Sequence, residues 1–95
     1  MRNFFRRLGD WLAGITPEEY FRNCGYKHPE AMAMAERQAV ENGWKFTLTD
    51  GVMELRDASG VLILKRKGIS FDDGLNHGRR IKAEMAHNAI WLGRD

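Results

Sequence analysis

Few residues in this 95-residue chain could do chemistry, and their spacing works against it. The metal-ligating types are His28, His77, His87 and a single cysteine, Cys24. His77 and His87 share one helical segment but sit roughly 15 Å apart along its axis, too far to hold one ion. Cys24 and His28 are closer in sequence, yet Gly25 breaks any helix between them. No second pair completes the three or four ligands that zinc takes. Asp72 and Asp73 are adjacent, so on a helix their side chains diverge and cannot act as an acid–base couple. Their simple role is to place negative charge at the positive end of a helix. Cys24 has no neighbouring base to make it a nucleophile. Gly60, Gly68, Gly74 and Gly78 do not form a phosphate-cradling loop. The residues therefore nominate no catalytic group, no metal and no cofactor, and the expectation is a protein that is not an enzyme.

Binding is better supplied. Residues 1–43 carry six Lys/Arg against six Asp/Glu, and residues 44–95 carry nine against seven. The excess gathers in Lys65, Arg66, Lys67, Arg79, Arg80 and Lys82, diluted only by Asp72 and Asp73. This cluster is the candidate surface for a protein partner or for nucleic acid; its bland alternative is a solvated strand end and helix face in a domain of net charge +2. A second candidate is the N-terminal segment. Phe4, Phe5, Leu8, Trp11, Leu12 and Ile15 draw one apolar helical stripe, with Arg2, Arg6 and Arg7 beside it. Such a helix can close the protein's own core, dock on a partner or a second copy, or lie on an anionic membrane. Most of the stripe is expected in the core, because a short chain has few other ways to cover its sheet. Three basic residues and no lipidation motif argue against a membrane.

The elements that must position these residues are clearly punctuated. A helix is expected over residues 2–14. Thr16-Pro17-Glu18-Glu19 starts a second helix, 17–24, with Thr16 as cap and Pro17 at the first turn. A third follows over 29–42, rich in Ala and Met. The apolar period then becomes two. Trp44, Phe46 and Leu48 alternate with polar residues, Asp50-Gly51 marks a hairpin, and Val52–Arg56 returns. Val61–Leu64 is a continuous apolar run, as in a strand covered on both faces or central in a sheet. Ser70-Phe71-Asp72-Asp73 starts the last helix, 71 to about 91, with an expected buried stripe of Phe71, Leu75, Gly78, Ile81 or Lys82, Met85, Ala89 and Leu92. Gly74 and Gly78 would let its backbone lie close to a sheet.

The fold class is therefore α+β, in the order ααα-βββ-α. A three-stranded antiparallel meander follows the N-terminal helices, and the C-terminal helix packs on it. Residues 1–95 read as one domain, with 1–43 helical and 44–95 holding the meander and last helix. Trp44, Phe46, Leu48, Leu55, Leu62, Leu64, Phe71, Leu75, Ile81 and Met85 are the expected core. The α-β-β-β-α order resembles the double-stranded-RNA-binding domain, whose last helix begins with paired lysines. Here Ser70-Phe71-Asp72-Asp73 stands in that place, and acids there repel phosphate. That family's glycine-proline-histidine turn is also missing.

One cysteine rules out an internal disulfide, and no run of about 18 apolar residues exists, so a cytoplasmic protein is expected. Ten aromatic residues, spread over separate elements, suit an interface more than a catalytic cleft. The function expected is a non-catalytic protein-binding module. In type it resembles the small accessory and inhibitor proteins of phages and mobile elements, which bind and block a host protein. The alternative is a nucleic-acid-binding domain that uses residues 65–82.

Overall fold

A computed structural model describes residues 14–91. The expected helix over 2–14, with Phe4, Phe5, Leu8, Trp11 and Leu12, lies outside these residues apart from Gly14. Among the described residues two helices, not three, precede the sheet: α1 (Pro17–Asn23) and α2 (Pro29–Glu41). The strands β1 (Lys45–Thr49), β2 (Val52–Arg56) and β3 (Leu62–Lys67) follow, and α3 (Phe71–Trp91) closes the order. The class is α+β, with an antiparallel meander in the order β1-β2-β3. No helix among the described residues is long and apolar enough to cross a membrane.

Local chemistry sets the boundaries. Thr16 Oγ1 accepts from the Glu19 N–H at 3.1 Å, and Pro17 takes a first-turn position that needs no donor. Ser70 Oγ accepts from the Asp73 N–H at 3.0 Å and starts α3. Asp50 and Gly51 have φ of 53° and 77°, the type I′ geometry that suits Asp-Gly between twisted strands. The β2–β3 turn is tied by Asp57, whose Oδ1 accepts from the Ser59 N–H, the Ser59 hydroxyl and the Val61 N–H. Those bonds, led by the one from Ser59, hold its carboxyl below the ordinary range.

One face of the sheet is covered. Met53 and Leu55 of β2 are buried with Ile69, Ile81, Met85 and Ala89, and Trp44, Phe46, Leu48, Ile63 and Leu64 pack around them. α2 lies against α3 through alanines, Ala35 and Ala39 on Ala86 with Ile90, so the two backbones approach closely. Phe21 of α1, fully buried, joins Met32 and Ala83. Only part of the expected core survives. Leu62, Phe71 and Leu75 are exposed. β2, not β3, is the central strand, so the Val61–Leu64 run starts at a sheet edge with Val61 and Leu62 facing solvent.

The last helix explains the other two. Its backbone leaves helical geometry at His77 (φ −127°, ψ 15°), so a single stripe drawn through all its turns does not stay on one face. Before the kink Gly74 makes the sheet contact. A Cβ there would lie 2.6 Å from Leu48 Cδ2. Contact through a glycine leaves its neighbours Phe71 and Leu75 outside. The expected partner glycine, Gly78, has nothing within 4 Å of where its Cβ would stand.

Candidate protein-binding groove

α2, β1 and the first half of α3 enclose an open groove of about 1100 Å³. Each wall is fixed by ordinary local structure. α2 stops at Glu41, and the Trp44 N–H donates to the Ala39 carbonyl at 2.9 Å. That bond folds the chain back and sets Trp44 beside the end of α2. Alternation along β1 turns Phe46 toward the helices and Lys45 and Thr47 away. Gly74 brings α3 down onto Leu48, and Leu75 and Gly78 continue the wall. The result is an apolar lining in which half-buried Trp44 and Phe46 join Val40, 76% exposed, and Leu75, 63% exposed.

The rim is charged and partly paired. Arg79 donates from Nε and Nη2 to the two oxygens of Glu36 at 2.6 and 2.9 Å, a two-point clamp between α3 and α2. Its guanidinium lies 4.1 Å from the centre of the Tyr20 ring. Burial, and then the neighbouring Cys24, push the Tyr20 phenol above its ordinary value. Arg37 sits 4.0 Å from Glu41. Lys82 is placed differently. Its Nζ is 6.0 Å from the Phe46 ring centre, and it forms no ion pair among the described residues.

The basic cluster of the sequence is divided among three places. Arg79 and Lys82 line the groove. Arg66 lies opposite Met53, on the helix side of the sheet, and donates from Nη1 to Glu84 Oε1 at 2.7 Å. The Tyr26 hydroxyl donates to the other Glu84 oxygen. Burial alone would raise the Glu84 pKa. The bonds from Tyr26 and Arg66 and the nearby charge of Arg80 outweigh it and hold the carboxyl below its ordinary value. Burial and the same carboxylate push Tyr26 well above the ordinary phenol range. Arg80 Nε is buried with no hydrogen-bond partner among the described residues. Lys65 and Lys67 lie opposite Glu54 and Val52, on the face of the sheet turned away from Met53 and Leu55.

The other candidates are dispersed. His28 stands exposed at the residue before α2, with no capping bond from its side chain, 3.9 Å from Glu30. His77 marks the kink and His87 lies near Trp91. Half-buried Cys24 follows α1. Asp72 and Asp73 occupy the first turn of α3. Among the described residues, no three of the His, Cys, Asp and Glu side chains gather where a metal could bind.

Sequence reasoning missed the groove itself. Val40, the one β-branched residue in a helix filled mostly by Ala, Met, Glu and Gln, was one signal. Leu75, beside a glycine suited to close packing, was the other. No family model, curated protein or solved structure matches this chain, so function has to be read from its own geometry.

Proposed function

We propose that this chain is a non-catalytic protein-binding module of the accessory or inhibitor type, and that it meets its partner through the groove of α2, β1 and α3. The observation that carries this reading is the apolar strip of Val40, Trp44, Phe46 and Leu75, with two large aliphatic side chains held in solvent beside two half-buried aromatics. Aromatic anchors in a concave strip with a charged rim are the features of binding-energy centres. Val40 and Leu75 contribute little to the fold where they stand, so they can be changed without disturbing it. The test is affinity capture from cell extract with the full chain and with Val40→Glu/Leu75→Glu. Capture should be lost while the melting temperature stays within a few degrees. Undiminished capture by the double variant would remove the groove from the interface.

A second reading is favoured by the face of the sheet that no element among the described residues covers. Lys45, Arg56, Lys65 and Lys67 share that face by strand register, with Glu54 as its one carboxylate. Glu54 is engaged by Arg56 at 3.0 Å. Such a face could hold nucleic acid through phosphate contacts. Its affinity would then fall steeply with salt and would drop on Lys65→Ala/Lys67→Ala. Capture that survives nuclease and moderate salt favours the protein partner instead.

A further inference from the structure

Among the described residues β1 ends the sheet and has β2 on one side only. The type I′ loop Asp50–Gly51 closes on a hydrogen-bonded pair, Thr49 with Val52. Bonded and non-bonded pairs alternate from there, so Thr47 and Lys45 also bond to β2. Phe46 and Leu48 therefore aim their N–H and C=O groups outward. Their side chains pack toward the helices, Phe46 in the wall of the groove and Leu48 under Gly74. The opposite edge is guarded. β3 carries Lys65, Arg66 and Lys67, and its register with β2 shifts beside Leu55 and Arg56. Clustered charge and a register irregularity are common ways of blunting an edge. β1 has an unbroken register and a single charge, Lys45.

We infer that the partner enters as an extended peptide segment, added to β1 as a fourth strand with alternate side chains in the groove. This rests on the reading of the groove as the binding site. Added antiparallel to β1, the residues bonded to Phe46 and Leu48 point their side chains to the same face as those two, toward Trp44, Val40 and Leu75. The intervening residues must lie beside Lys45 and Thr47. Neither Lys45 nor Lys82 forms an ion pair among the described residues, while Arg37 and Arg79 are matched by Glu41 and Glu36. The segment is therefore one with apolar residues at every second position and carboxylates placed to meet the two lysines.

The experiment screens a displayed library of random short peptides against the full chain, then titrates the best peptide, synthesised and labelled, with amide exchange followed by NMR. Enriched sequences should alternate apolar and polar residues and carry Asp or Glu. Saturation should slow exchange of the Phe46 and Leu48 amides about tenfold or more. Lys82→Glu should weaken the peptide roughly tenfold, and methylating its alternate backbone nitrogens should abolish binding. Four outcomes overturn strand addition. One is enrichment of peptides with apolar residues three and four apart, sensitive to Val40→Glu and Leu75→Glu but without protection of the two amides. That result leaves the groove reading intact. Another is protection of the same amides that rises with the chain's own concentration, since a second copy then fills the edge. The third is a library that yields no binder, because an open edge needs only a short segment. Peptide binding unaffected by Val40→Glu and Leu75→Glu overturns the groove reading as well.

Discussion

The two halves of α3 have similar sequence patterns and opposite fates. After His77 the helix buries Ile81, Ala83, Met85, Ala86, Ala89 and Ile90, between the sheet on one side and α1 and α2 on the other. Before it the contact with the sheet is a glycine, and Phe71, 73% exposed, stands in solvent with Leu75. The later half is also tied by polar bonds, with Glu84 joined to Tyr26 and Arg66. Apolar periodicity shows that a face exists but not what covers it. In the later half the cover is the protein's own core. In the earlier half nothing among the described residues provides it over Phe71 and Leu75, and that is where the groove opens.

The comparison breaks most visibly at Met85. It is 1% exposed, and Met85→Ala should cost about 2–5 kcal/mol in denaturant unfolding as a large-to-small core change. A loss under about 0.5 kcal/mol would mean the later half is not core. Glu84→Gln comes next, at about 1 kcal/mol near neutral pH, through weakened bonds to Tyr26 and Arg66. The sign of its pH dependence is set by the lowered folded pKa. The Glu84 contribution is complete above the ordinary carboxylate value of 4.5 and is lost as pH falls through the lower folded value. Acid titrations of stability should therefore be flatter in Glu84→Gln than in the parent below that point. Equal slopes would show that the three-way tie does not form in solution.

Smaller effects sharpen the contrast inside the earlier half. Gly78→Ala meets open space and should stabilise the helix by about 0.5–1 kcal/mol. Gly74→Ala brings the same helix gain but drives a methyl group into Leu48. It should come out neutral to about 1 kcal/mol destabilising. Equal gains at both positions would show that α3 does not touch the sheet where Gly74 places it. Leu75→Ala should change stability by less than about 0.5 kcal/mol, against the severe loss at Met85. A large loss at Leu75 would put the earlier half back into the core.

Much of this fold could be read from the chain. Thr16 and Ser70 as caps, Asp50-Gly51 as the hairpin and the alternation of Trp44, Phe46 and Leu48 each act through neighbours in sequence, so their outcome is locally determined. The site was less legible. The basic run 65–67 looks like one surface only until strand alternation is applied, which puts Arg66 on the opposite face from Lys65 and Lys67. Arg79 was readable as a helix-surface charge, but its Glu36 partner is 43 residues away. The kink at His77 has no sequence signal of the usual kind, neither proline nor a glycine–serine pair. The groove joins Val40 and Trp44, which lie close in sequence, to Leu75 of α3, and no spacing rule brings Leu75 to the other two.

The unequal edges of the sheet also govern how the chain could assemble with itself. Growth of a continuous sheet from copy to copy needs two receptive sides on every molecule, one to accept and one to offer. Among the described residues β1 is the edge with an unbroken register and one charge, and β3 the edge with three charges and a register shift. Two copies meeting β1 to β1 would close into a six-stranded pair about a two-fold axis and leave only guarded sides outward. Assemblies that grow by sheet extension should therefore stop at such pairs, and the same asymmetry that leaves a place for one added strand works against a fibre built by that route.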